Sequence, residues 1–247
     1  MLNIVIPMAG AGSRFAQKGY KDPKPLIPVR GKPMIQVVIE NLSPKQNHRF
    51  IFICQRKHVE IYKLREKLLK WAPNSMLVEI DGLTDGAAST VLKAKLLINN
   101  NNPLMIANSD QFVDININQY LDIVAEDVLD GLIMTMTADS PKWSYVGFDN
   151  SNNVNRVVEK KVISNEATVG IYNFAQGSDF VKAAETMIIN NERVNGEFYV
   201  APVYNVLIGN GNKIGIYNIG SVGSGMHGLG TPDDLESFLN HKVSDTI

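Results

Sequence analysis

The chain has 247 residues, 45% of them hydrophobic and 20% charged, with a formal net charge of −1. That length places the core well above the marginal size, and the near-neutral charge excludes a basic field for gripping a nucleic-acid backbone. A single cysteine, Cys54, excludes an internal disulfide framework, and no run approaches the roughly 20 apolar residues of a membrane helix.

In chain order, Leu2–Met8 is the first apolar run. It is too short for a signal-peptide h-region and has no positive segment before it, so a buried strand and a cytoplasmic location are expected. A helix follows over Met34–Leu42, a strand over Arg49–Cys54 and a helix over Val59–Trp71, where apolar residues recur at helical spacing. Cys54 ends an apolar run and reads as a buried strand residue, not a nucleophile. Met76–Ile80 reads as strand, Ala87–Ile98 as helix, Leu104–Ala107 as strand and Ile117–Val128 as helix. This alternation predicts an α/β fold, a central mostly parallel mixed sheet flanked by helices. In such sheets ligands bind at strand carboxyl ends, which directs attention to the residues after Met8, Ile80 and Ala107.

Past Gly131 the texture changes. Leu132–Thr137, Tyr145–Asp149, Val154–Glu159 and Thr168–Phe174 are strand-like, separated by Asn-rich turns, and helices are expected over Asp179–Asn190 and Glu197–Leu207. A last helix starts at Thr231-Pro232-Asp233-Asp234, which reads as N-cap, first-turn proline, then acids near the helix dipole, so Asp233 and Asp234 are read as capping residues, not ligands. With no repeat and no linker, residues 1–247 are expected to form one domain.

Met8-Ala9-Gly10-Ala11-Gly12-Ser13-Arg14-Phe15 follows the first strand. Two glycines around a small residue let backbone N–H groups converge on phosphate oxygens, although a tight turn has the same look. No Gly-Lys-Ser/Thr closes the loop, and Phe15 stands where a dinucleotide fingerprint has its third glycine. Farther on, Pro23 and Pro25 stiffen the backbone around Lys24. Arg14 and Lys24 suit a phosphoryl centre with a pyrophosphate leaving group, where negative charge accumulates.

The combined pattern Gly-x-Gly-Ser-Arg-Phe … Pro-Lys-Pro-Leu-x-Pro-Val-x-Gly-Lys-Pro-Met resembles the signature of the sugar nucleotidyltransferases, a family that includes phosphocholine cytidylyltransferases. The resemblance covers nearly the whole chain and implies a Rossmann-like nucleotidyltransferase fold, with an NTP-binding part over about 1–130 and an acceptor-binding part over about 131–247. It implies that Gly10, Ala11, Gly12 and Arg14 hold the NTP phosphates, with Met8, Ala9, Ser13 and Ser109 as further nucleotide-binding residues, that Lys24 contacts the α-phosphate and leaving group, and that Asp110 binds Mg²⁺ or Mn²⁺. The second aspartate that the family commonly has before Gly-Thr-Pro is replaced here by Gly228. His227 beside it is a substitute ligand, an acceptor contact or a plain loop histidine.

Asp81, Asp85 and Gly86 resemble the family's base-reading segment. A carboxylate at Asp81 can only accept hydrogen bonds, which suits the amino group of cytosine and not the O4 of uracil or thymine. CTP is therefore favoured, and with it a phosphorylated amine or amino acid such as phosphocholine or phosphoglutamine, for a surface or capsule polysaccharide. A sugar-1-phosphate uridylyl- or thymidylyltransferase is the alternative. On the acceptor side the resemblance points to Glu159, Lys160, Gly170 and Glu197, with Lys160 orienting the acceptor phosphate. Trp143, Ser144 and Tyr145 are further lining candidates, while Lys161 reads as a charged strand terminus. The expected partners are an NTP and a small phosphorylated acceptor, with a homo-oligomer allowed. Two other classes stand beside this reading: a glycosyltransferase of related fold and a non-catalytic nucleotide-binding regulator.

Overall fold

The computed structural model describes residues 1–247. β1 (Leu2–Pro7) is buried along nearly its whole length. Leu2, Ile4 and Ile6 enter one hydrophobic cluster and Val5 the cluster on the opposite face, which is the period-2 alternation of a strand covered on both sides. After β1 come α1 (Ser13–Gln17), a 3-10 turn over Lys24–Leu26, the small hairpin β2 (Pro28–Val29) and β3 (Lys32–Pro33), and α2 (Met34–Leu42). β4 (His48–Gln55), α3 (Arg56–Tyr62), α4 (Leu64–Trp71) and β5 (Met76–Ile80) follow. The helix expected over 59–71 is thus two helices, broken at Lys63 in a left-handed conformation with φ 51. The stretch 87–98 likewise divides into α5 (Ala87–Val91), a 3-10 turn and α6 (Lys95–Ile98).

β6 (Leu104–Ala107), β7 (Gln111–Val113), α7 (Ile117–Glu126) and β8 (Gly131–Thr137) lead into the second part. It contains β9 (Tyr145–Phe148), β10 (Val154–Val158), β11 (Glu166–Phe174), α8 (Gly177–Ile189), α9 (Tyr204–Gly209), β12 (Ile214–Val222), β13 (Gly225–Gly228) and α10 (Pro232–Leu239). The helix expected from Glu197 starts only at Tyr204, after a 3-10 turn over Ala201–Val203. Its first residues instead make strand-like bonds: Phe198 N–H donates to Asp85 O at 2.7 Å, and Ala88 N–H donates to Phe198 O at 3.0 Å.

One eleven-stranded sheet runs through both parts in the order β5-β4-β1-β6-β11-β8-β12-β13-β7, with β9 and β10 added beside β11. β5, β4, β1 and β6 are mutually parallel, while β11 runs antiparallel between β6 and β8. Within the parallel block the chain moves outward from β1 to β4 and β5, then returns to β6 on the other side of β1. That reversal opens a crevice at the carboxyl ends of β1 and β6, the ends that carry the loop after Pro7 and the turn holding Asp110. A smaller cluster of Phe15, Ile27, Val29, Leu229, Leu235 and Phe238 ties α1 and the lysine turn to β13 and α10. No helix is long and apolar enough to cross a membrane.

Candidate active site

The loop between β1 and α1 reaches the crevice from one side. Met8 and Ala9 are buried, and the Ala9 carbonyl accepts from the buried Gln55 Nε2 at 2.6 Å, which fixes the base of the loop. Gly10 and Ala11 are exposed, and the amides of Gly10, Ala11 and Gly12 make no backbone hydrogen bond. Gly12 has φ +60, a conformation that side chains resist, and a Cβ there would touch Lys24 Cβ at 3.4 Å. Ser13 and Arg14 are exposed. Met8, Gly10, Gly12, Asp22 and Lys24 line a cavity of about 170 Å³.

Lys24 opens the 3-10 turn, with extended Pro23 before it and Pro25 inside it. Its Nζ meets Asp110 Oδ2 at 2.6 Å, and both side chains are about three-quarters buried. Two residues 86 apart in sequence therefore converge where β1 and β6 end. Asp110 lies in the turn between β6 and β7, where its carbonyl accepts from Leu229 N–H at 2.8 Å. Ser109 beside it is 4% exposed and faces the interior, so the structure does not bring it to the cleft. Asn108, one residue earlier, does reach it and lines the cavities on both sides of Asp110's turn.

The acceptor-side residues surround a cavity of about 280 Å³ that includes Trp143, Ser144, Glu159, Lys160, Gly170 and Tyr199. Glu159 is 8% exposed and accepts a short hydrogen bond from Ser144 Oγ. Burial pushes its carboxyl pKa up, against the opposing pull of the Ser144 bond and the Lys160 charge. Lys160 Nζ donates to Tyr199 Oη at 2.5 Å and stands 4.6 Å from the Tyr199 ring centre. That hydrogen bond is the main cause holding the Lys160 ammonium above its usual range. Gly170 has φ +90, and its missing side chain leaves the space that Asn108 Nδ2 fills. Glu197 is exposed at the rim, near enough for its charge to raise the Tyr199 hydroxyl, although burial is the larger cause.

Four further expectations change. Tyr145 is fully buried with its hydroxyl donating to Ser140 O at 2.8 Å, because strand alternation turns it away from the cavity that Ser144 faces. His227 is 4% exposed within β13, packed at tilted angles against Phe112, Phe238 and His241, so it is a core residue and neither a ligand nor an acceptor contact. Desolvation and His241 lower its pKa, which keeps the ring neutral. Asp81 is 79% exposed and ion-paired with Arg56 at 2.9 Å, so its carboxylate already has a cationic partner at the surface. Asp85 is also exposed and paired with Arg193 at 3.1 Å, while the neighbouring Gly86 is indispensable, since a Cβ there would lie 2.5 Å from Phe198 O.

Asn108, Lys142 and Tyr199 are cleft residues that sequence reasoning did not single out. Lys142 lines both cavities and stands 4.7 Å from the Trp143 ring centre. A third cavity of about 360 Å³ joins Arg14, Asp110, Lys142, Asp233 and Asp234. The N-cap is as expected, with Asp234 N–H donating to Thr231 Oγ1 at 3.1 Å.

The sequence profile of the nucleotidyl transferase family matches residues 4–197. The bifunctional protein GlmU of Methanocaldococcus jannaschii is 27% identical over a stretch covering 70% of this chain and 40% of that protein. A bifunctional sugar-1-phosphate nucleotidylyltransferase/acetyltransferase of Sulfurisphaera tokodaii is 28% identical, over 66% of this chain and 38% of its own length. The chain spans about half the length of the curated relatives it matches. Among solved structures, the nucleoside-diphosphate-sugar pyrophosphorylase of Vibrio cholerae superimposes with a TM-score of 0.82 at 26% identity, covering 96% of this chain and 99% of that one.

Proposed function

Because this chain belongs to the nucleotidyl transferase family, we propose that it transfers a nucleoside monophosphate from an NTP to a sugar 1-phosphate, releasing pyrophosphate. The contact between Lys24 and Asp110 at the β1–β6 crevice carries this reading, because it joins a fixed ammonium and a strand-end carboxylate beside a loop of unpaired amides. The relatives' names, a sugar-1-phosphate nucleotidylyltransferase and a nucleoside-diphosphate-sugar pyrophosphorylase, support a sugar 1-phosphate acceptor, and with it the uridylyl or thymidylyl alternative to the cytidylyl reading.

In the reaction, a phosphate oxygen of the acceptor attacks the α-phosphorus in line. The new P–O bond forms as the bond from the α-phosphorus to the bridging oxygen breaks, and pyrophosphate leaves with that electron pair. The attacking phosphate is ionised near neutral pH, so no side chain has to take a proton. The amides of Gly10–Gly12 and the side chain of Arg14 hold the triphosphate, while Lys24 meets the charge that builds on the leaving group. Lys160 orients the acceptor phosphate, and Glu159 with Ser144 addresses the acceptor's hydroxyl groups.

A divalent cation fits beside Asp110. The carboxylate is a hard oxygen donor, and Gly230 leaves its flank bare, since a Cβ there would stand 2.7 Å from Oδ2. Mg²⁺, held by Asp110, would supply charge neutralisation on the triphosphate. A glycosyl transferase or a silent regulator would release no pyrophosphate. The test is pyrophosphate release from glucose 1-phosphate with each of the four NTPs. UTP or dTTP should give the fastest turnover; release with CTP alone would restore the cytidylyl reading, and no release with any NTP and any phosphorylated acceptor would end the proposal.

A further inference from the structure

Two cavities share a wall formed by the segment between β8 and β9. One, of about 280 Å³, holds Glu159 and Lys160, and the other, of about 360 Å³, holds Arg14 and Asp110. Asn108, Lys142 and Trp143 line both. The segment is fixed to its neighbours: Lys160 N–H donates to Trp143 O at 3.0 Å, and Thr168 N–H donates to Ser144 O at 2.8 Å. Trp143 is half-buried, and the Lys142 ammonium stands 4.7 Å from the centre of its ring.

Of the three shared residues only Lys142 is charged. Asn108 has its amide in the space that Gly170 leaves. Asp110, Asp233 and Asp234 line the larger cavity with Lys142, yet Asp110 is paired with Lys24 and Asp234 with Thr231, and Lys142 takes part in no ion pair. A ring face holds an exposed ammonium only weakly, so a phosphate oxygen can draw it away. In the reaction, pyrophosphate leaves on the side of Lys24 and the acceptor phosphate arrives on the side of Lys160. The phosphoryl group in transit therefore passes the wall that the cavities share, and its equatorial oxygens carry negative charge through the transition state.

We propose that Lys142 is a catalytic residue whose ammonium leaves the Trp143 ring to contact the phosphoryl group in transit. This rests on the reaction given above and deepens it. Arg14 and Lys24 serve the triphosphate and Lys160 the acceptor, while Lys142 serves the group that passes between them. The lysine exchanges no proton. The phosphorus–oxygen bonds made and broken are those already described, and the ammonium meets the charge on the oxygens that stay with phosphorus.

The test compares Lys142→Met and Lys142→Arg with the wild-type chain, using UTP and glucose 1-phosphate for turnover and UDP-glucose for calorimetric binding. Lys142→Met should lower kcat by about 10–100-fold, the range of one charge-assisted hydrogen bond, with kcat/KM for both substrates falling in step. Lys142→Arg keeps the charge and should recover most of that loss. Tm should hold in both variants, because Lys142 is exposed and pairs with no other charged group. UDP-glucose carries the transferred phosphate after the charge has dispersed, so Lys142→Met should weaken its binding by only about 3–10-fold. A kcat within about threefold of wild type in Lys142→Met, a loss confined to the acceptor KM, or an arginine variant no better than the methionine one overturns the proposal. A chain that releases no pyrophosphate sinks the functional reading instead. UDP-glucose binding then decides for Lys142 alone: weakening in Lys142→Met keeps the phosphate contact, and unchanged or absent binding removes it.

Discussion

The two walls of the cleft are prepared for their ligands in different ways. On the wall built from β1, α1 and the lysine turn, Gly10 and Ala11 are exposed, their amides are unpaired, and Arg14 projects into solvent. On the facing wall the polar groups already have partners in the protein: Glu159 has Ser144, and Lys160 has Tyr199. The open wall is a backbone cradle that any triphosphate can satisfy, with affinity set by charge. The paired wall is one where an incoming acceptor must match or displace existing bonds, and at the buried Glu159–Ser144 pair such a site rejects a molecule that leaves a group unpaired. On the proposed function, selectivity for the acceptor resides on the paired wall.

This contrast can be broken in several places. Lys24→Met acts where both substrates meet and should lower kcat by about 10²–10³, the typical loss for one charge-stabilising donor, with Tm changed little. A variant with kcat within threefold of wild type would remove Lys24 from the transition state. Lys160→Ala should lower kcat/KM for the acceptor by about 10–100-fold, the range of one charge-assisted hydrogen bond, while KM for the NTP stays constant. Equal losses for both substrates would erase the division between the walls. Tyr199→Phe keeps the ring under Lys160 and removes the hydroxyl, so acceptor KM should change by only about 2–10-fold.

The smallest effect is a slope of stability against pH. Burial raises the Glu159 pKa above the ordinary glutamate value of 4.5, so the folded chain holds that proton at pH values where the unfolded chain has released it. Stability from this group is complete below about pH 4.5 and is lost as pH rises through the raised value. Glu159→Gln should flatten that part of a Tm-against-pH series, and an unchanged slope would show that Glu159 is ionised throughout.

The same contrast explains what the sequence made legible. The open wall is written contiguously from Met8 to Lys24, and prolines on both sides mark the lysine, so its residues could be named before any coordinates. Asp110 was visible as the acid that ends an apolar strand. The paired wall is assembled from Asn108, Lys142–Ser144, Glu159–Lys160 and Tyr199, which share no periodicity and meet only through the sheet. The sequence places a strand start at Tyr145 and names Ser144 and Tyr145 together, but not which of the two faces the cleft, because neighbouring strand residues face opposite sides. β12 carries glycine and asparagine and is largely half-exposed, so its pattern did not announce a strand, and β13 and β7 are too short to show one. Lys63 turns left-handed without the glycine that usually signals such a break.

The central claim is that the bond broken lies between the α-phosphorus and the pyrophosphate bridge. Incubating the chain with [α-³²P]UTP, glucose 1-phosphate and Mg²⁺ and separating the products locates that bond. The account predicts radiolabel in a new sugar-containing product, formed in a one-to-one ratio with unlabelled pyrophosphate. Label retained in a nucleoside diphosphate with release of orthophosphate would place the cleavage at another phosphorus and contradict it.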